Sequence, residues 1–351
     1  MSGIFDKSVF NADVFAAYTL TVPRTKRNEL LRAGVLRTRP DLAAMFPEQA
    51  GGNYVVIPMF GRLTGTPDKY DGQTDITATS IDSYSQGMVA HGAAKAFTEK
   101  DFLTSITGAD FMPQIASQIV NYWDDYRQAV LLAALKGIFS TTDALSQTFV
   151  TKHTYNATLS TASPDPINPN LNPKAVNATT LNSAIQQASG DNKNIYTVAI
   201  MHSAVATNLE NLNLLKYVLY NDANGMISNT NIGQWNGRTV FVDDSMPFNG
   251  TNYTTYILGA GAFDYADLPV KVPFEPYRDP KTAGGQDYLY SRNRELLSPY
   301  GFHFTKAAMA TLSPDISELE MGANWQVVHN VDNTMAFDHK AIPIVRIISE
   351  G

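Results

Sequence analysis

Residues 237–248 read GRTVFVDDSMPF, residues 253–267 read YTTYILGAGAFDYAD, and residues 274–304 read FEPYRDPKTAGGQDYLYSRNRELLSPYGFHF. Three runs of strand-forming residues, 239–242, 253–258 and 287–291, alternate with joints rich in Gly, Pro, Asp and aromatic residues. That punctuation predicts a sheet of short strands. Asp243 and Asp244 follow one run directly. Neighbours on a strand point to opposite faces, whereas two acids acting on one substrate must converge, so the pair reads as a strand end. Gly259-Ala260-Gly261 lacks the third glycine and the Lys-Ser/Thr of a phosphate loop and reads as a tight joint. The stretch predicts architecture without a reaction centre.

Outward from it, the chain keeps mixing helix and strand. Towards the C-terminus, Ser313-Pro314-Asp315 opens a short helix with Ile316, Leu319 and Met321, and 324–329 and 342–348 read as strands. Towards the N-terminus, 180–189 reads as a helix and 195–201 as a buried strand. Ser203 is placed to cap a helix carrying Val205, Leu209, Leu212 and Leu215. This strand-helix step predicts a mixed sheet flanked by helices. Pro164, Pro166, Pro169 and Pro173 sit in a low-charge segment, 140–176, expected to be an insertion or linker.

The clearest helix covers 109–139. Phe111, Ile115, Ile119, Trp123, Tyr126, Val130 and Ile138 recur at helical spacing, and Asn121, Asp124, Asp125, Arg127 and Gln128 fill the expected solvent face. Such a helix spans roughly 40 Å and would act as a strut. Before it, 54–60 is a β run, the span 61–73 is rich in Gly, Pro and Asp, and a return run follows to 97. A hairpin this long has too little core of its own and needs a partner. The first 50 residues contain a basic cluster, Arg24, Lys26, Arg27, Arg32, Arg37 and Arg39, against Glu29 alone.

Composition narrows the function. The 351 residues are 44% hydrophobic and 17% charged, with a net charge of −7 and no cysteine. Overall acidity argues against a dedicated nucleic-acid binder, and the absence of cysteine removes disulfides, thiolate nucleophiles and Cys-ligated metals. The low charge leaves a neutral polar surface suited to meeting other protein faces. No export signal opens the chain and no apolar window is long enough to span a membrane. His91, His153, His202, His303, His329 and His339 show no metal-ligand spacing, and no G-x-S-x-G elbow supports a nucleophile. No cofactor or metal is expected, and no enzymatic activity.

Read in order, these segments resemble the major capsid proteins of tailed double-stranded DNA bacteriophages, a fold shared with encapsulins. The matching motifs are GRTVFVDDSMP (237–247), YILGAGAF (256–263), EPYRDP (275–280), PYGFH (299–303) and Asn324-Trp325. The resemblance covers most of the chain and implies an α+β fold. Its parts are an N-terminal arm (1–53), an extended hairpin loop (54–97), a peripheral domain with the spine helix (98–139), the insertion (140–176), an axial domain with a mixed sheet flanked by helices (177–305), and a return to the peripheral domain (306–351). It implies self-assembly through hexamers and pentamers into an icosahedral shell around double-stranded DNA. A portal protein and a separate scaffolding protein are the expected partners, since few residues precede the hairpin. Assembly is expected in the host bacterial cytoplasm, with the product in the virion capsid.

The candidate functional residues follow. Arg24, Lys26, Arg27 and Arg32 are candidates for inner-face contact with packaged DNA by phosphate neutralisation. Lys69 at the hairpin tip, with Arg278, Arg292 and Arg294, are candidates for contacts between subunits. Three alternatives remain open at this point: an encapsulin-like compartment, a phage tail or adhesion module forming small oligomers, and a hydrolase using Asp243, Asp244 or Glu275.

Overall fold

The computed structural model describes residues 34–46, 53–61, 63, 65–73, 75–76, 78, 81–101, 112–160, 172–221, 227–330 and 332–351. Its strands in chain order are β1 (Leu36–Thr38), β2 (Tyr54–Phe60), β3 (Ser83–Lys100), β4 (Thr154–Asn156), β5 (Tyr196–Met201), β6 (Leu215–Asn221), β7 (Ile227–Trp235), β8 (Arg238–Val242), β9 (Asn252–Gly259), β10 (Phe263–Asp267), β11 (Phe274–Asp279), β12 (Gln286–Pro299), β13 (Phe302–Phe304), β14 (Trp325–Val327) and β15 (Ile344–Glu350). Its α-helices are α1 (Pro40–Met45), α2 (Met112–Ile138), α3 (Ala144–Lys152), α4 (Thr180–Ser189), α5 (Ser203–Asn211) and α6 (Ile316–Glu320).

The strands of the opening motif fall in two different sheets. β8 and β9 belong to a seven-stranded sheet ordered β4-β15-β9-β5-β8-β7-β6. β12 is central to a second sheet ordered β1-β10-β12-β3-β2, with β11 also paired to β12. The joint between them is the Gly259–Gly261 turn. A Cβ on Gly259 would fall on the Ile195 carbonyl, and Gly261 adopts φ +70°, where glycine carries no steric cost. The tight-joint reading of this motif therefore holds.

β12 runs Gln286–Pro299, well past the predicted 287–291. Arg292, Arg294 and Glu295 hide its apolar period, because Glu295 points inward where the pattern calls for an apolar residue. The hairpin is present as β2 and β3, closed at Phe60↔Ser83. The partner it needs lies in its own chain: β3 pairs with β12 from Lys100↔Gln286 to Ala90↔Leu296.

α2 matches the predicted strut within its described part, and its buried stripe includes Ile119, Val120, Trp123, Val130, Leu131, Leu135 and Ile138. Each such aliphatic side chain contributes about 1.5–3 kcal/mol when fully buried. Within 140–176, α3 and β4 are regular. Asp143 caps α3 by accepting from Ser146 N, and Phe149 joins the main core. α4 occupies the predicted 180–189. At α5 the cap is His202, whose ring nitrogen accepts from Ala204 N, so Ser203 is the first helical residue instead of the cap. Leu215, expected on that helix, opens β6. Asp315 caps α6 in a reciprocal capping box with Glu318, as the Ser-Pro-Asp signal predicts.

Candidate assembly surfaces

α2 lies on the face of the second sheet that carries Leu289, Ser291 and Glu295. Trp123 packs with Ile119 and Leu289 and donates its indole N–H to Ser291 Oγ at 2.9 Å. One turn further, Arg127 donates Nε–H to Glu295 Oε2 and Nη1–H to Asp124 Oδ1, both at 2.8 Å. His91, the cross-strand neighbour of Glu295, places Nε2 3.3 Å from Oε1. The Arg127 guanidinium sits 5.4 Å from the centre of the Tyr265 ring.

His91, Asp124, Arg127 and Glu295 are all buried. Burial alone would raise the Glu295 carboxyl, but the His91 hydrogen bond and the Arg127 charge outweigh it and hold the group down at about 2. Burial likewise opposes the Arg127 charge, and Glu295 overcomes it, so the guanidinium stays above its ordinary value. This clasp fixes the strut on the strand that also carries the hairpin. It corrects the sequence expectation for Asp124 and Arg127, which face the sheet and not solvent. A periodicity argument counts both as polar, and no local signal reveals a carboxylate waiting 168 residues away.

The loop beyond the hairpin presents apolar side chains to solvent: Leu63 is 69% exposed, Tyr70 95% and Ile76 75%. Lys69 is exposed and lies 3.5 Å from Asp71. The three candidate arginines are engaged within the chain. Arg278 bridges Asp101 at 2.6 Å and Asp287 at 2.7 Å. Arg292 pairs with Glu275 at 2.8 Å, and Arg294 reaches Asn53 at 3.3 Å and lies over Phe46. Arg24, Lys26, Arg27 and Arg32 lie outside the described residues. At the described end of that basic run, Arg37 binds Asp264 at 2.7 Å and Arg39 binds Asp41 at the same distance.

Among the described residues, the acids singled out in the sequence are engaged in local contacts. Asp243 accepts from Ser245 N at 2.9 Å and Ser245 Oγ at 2.7 Å, which is a turn closing on itself. Asp244 points elsewhere, with its carboxyl held below the ordinary range by Ser203 and His202 Nε2 3.9 Å away. His202, Ser203 and Asp244 thus meet. The Nδ1 lone pair that would have to take a proton from Ser203 already accepts Ala204 N–H at 3.1 Å, and Ser203 Oγ is 3.5 Å from it. Glu275 is committed to Arg292. Among the described residues no group of three or more His, Cys, Asp or Glu is placed to hold a metal, and no helix is long and apolar enough to cross a membrane.

No family model matches the sequence. The chain is 28% identical over 323 residues to the major capsid protein of Bacillus phage SPP1, across 91% of this chain and 92% of that protein. Among solved structures, the cyanophage Pam1 capsid asymmetric unit superposes with a TM-score of 0.53 at 13% identity, covering 90% of this chain and 88% of that one. The acid-stable capsid of Helicobacter pylori bacteriophage KHP30 gives 0.51 at 12% identity, covering 90% and 87%. In the path of its backbone the chain has the tailed-phage capsid fold, and along nine-tenths of its length its sequence is similar to that of the major capsid protein of Bacillus phage SPP1.

Proposed function

We propose that the chain is the structural subunit of a phage head, and that its product is a shell. The observation that carries this reading is the likeness to the SPP1 major capsid protein along nearly the whole of both chains. The physical design agrees with it. The clasped strut gives a stiff outline, and the hairpin loop offers apolar side chains that its own subunit leaves uncovered. Many weak contacts per subunit add up when they act together.

In this reading the axial unit, residues 177–305, closes into hexameric and pentameric rings through heterologous interfaces. A separate scaffolding protein and a portal complete assembly in the bacterial cytoplasm. The arm bearing Arg24, Lys26, Arg27 and Arg32 faces packaged double-stranded DNA. Lys69 and the arginines 278, 292 and 294 stand at contacts between subunits.

The test is expression with and without a candidate scaffold, followed by negative-stain electron microscopy. Shells, tubes or capsomer rings are expected; a strictly monomeric species under all conditions overturns the reading. For the arm, charge reversal at its four basic residues is expected to reduce DNA retention. Unaltered assembly and retention would remove it from the inner face.

A further inference from the structure

His153 closes α3 and is fully buried, stacked on Phe149 with ring centres 4.3 Å apart. Its Nδ1 lies 2.7 Å from the Ile344 carbonyl oxygen. A carbonyl can only accept, so Nδ1 carries the hydrogen. Its Nε2 lies 3.2 Å from Nδ1 of His339. In the neutral ring Nε2 is an acceptor, so His339 donates. One imidazole pair therefore ties three elements together: the end of α3, β15 at Ile344, and the turn His339–Ala341. Three further bonds dock the same segment, one from Arg346 N to the His153 carbonyl and two from Gln187 of α4 to the carbonyls of Thr151 and Thr154.

We infer that the His153–His339 pair is an acid-released latch, which holds residues 144–160 on the seven-stranded sheet at neutral pH and lets them go when both rings are protonated. The first added proton enters His339 beside Asp338 and leaves the contact intact, because its Nδ1–H still donates. The second can enter only at His153 Nε2. Two N–H groups would then face each other, and a cation would stand in a fully buried site. The charged groups around the pair act in both directions: charge on His339 opposes the second proton whereas Asp338 favours it, and Lys152 and Lys340 oppose charge on His339. Lys152 comes from α3, Lys340 and Asp338 from the turn, and Arg346 of β15 reaches Thr154 at 3.1 Å. α4 supplies only the Ala188 backbone.

Burial holds His153 down to about 4 and keeps His339 below its ordinary value. The folded site thus refuses protons that the unfolded chain accepts from about pH 6.5. Its contribution is present above that value and is lost as pH falls towards 4. His339 is only partly buried, so the pair opens by its outward rotation, and the α3–β4 segment loses its anchor.

Hydrogen exchange followed by mass spectrometry on the full chain tests this, with protection at each pH taken relative to the unfolded-peptide rate. Between pH 7 and pH 4.5, peptides within 144–160 should lose at least about tenfold more protection than β9. His153→Gln, which stays neutral and can still donate to Ile344, should flatten that difference. If that variant does not fold, His339→Gln at the partly buried position should make the loss shallower, with one proton in place of two. Side-chain NMR of ¹⁵N-histidine protein gives an independent readout. Equal loss in β9 and in 144–160, no loss in either, or a His153 that titrates like free histidine overturns the latch.

Discussion

Arg127 on the strut and Glu295 on the central strand meet at 2.8 Å with both side chains buried. Removing one partner of such a pair strands the other's charge, which costs about 3–5 kcal/mol, whereas replacing both with apolar groups can be neutral. Arg127→Met should therefore destabilise by that amount in urea unfolding. Glu295→Leu added to it should recover part of the loss. A double variant as unstable as the sum of the singles would show that the pair is not coupled.

The same carboxylate sets an acid limit. Its folded value of about 2 lies below the ordinary 4.5, so its contribution is present above about pH 4.5 and is lost as pH falls through 2. A depression of this size corresponds to about 3 kcal/mol at neutral pH. The stability gap between the parent chain and Glu295→Gln should narrow across that window in chemical denaturation. A gap that does not change with pH would mean that the carboxylate is not held ionised by its neighbours.

How far the sequence carries depends on where the determining contact lies. α2, α4 and α6 are legible because their stripes and caps are local: Ile119 to Ile138 repeat at helical spacing, and Asp315 with Glu318 is a complete start signal. The C-terminal half of β12 is not, because Glu295 is an acid at an inward position that Arg127, His91 and Tyr265 make tolerable. The cap on α5 misleads for a similar reason, since an imidazole at 202 takes the role that serine usually fills. The intrachain partners of Arg278, Arg292 and Arg294 are likewise set by strand pairing and loop packing that no local pattern announces. The meeting of His153 with His339 is invisible in sequence because it is made across 186 residues by the pairing of β15 with β4.

Gly137 separates two opposed effects. In a helix interior, alanine is ordinarily favoured over glycine by about 1 kcal/mol. Here a Cβ would fall on the Leu319 carbonyl and the Trp325 indole, which are themselves joined by a hydrogen bond of 2.7 Å. Both are buried, and overpacking of that kind costs about 1–3 kcal/mol. Gly137→Ala should lower the thermal midpoint despite its better helix propensity. A raised midpoint would show that α6 and the Trp325 strand can shift away from α2 without cost.

The exposed hairpin loop separates stability from assembly. Leu63, Tyr70 and Ile76 are largely open to solvent, and surface substitutions usually change stability by no more than about 0.5 kcal/mol. Replacing all three with Ser should therefore leave the unfolding midpoint of the isolated chain nearly unchanged. In the proposed shell the same side chains are expected to lie against another subunit, where each large apolar group covered would contribute about 1.5–3 kcal/mol. Summed over three positions and repeated at every subunit, that loss should raise the concentration needed for assembly by at least a hundredfold, read by sedimentation and electron microscopy. Assembly at the parent concentration would show that the loop's apolar residues stay wet in the particle, and the strut and axial surfaces would then have to carry the contacts alone.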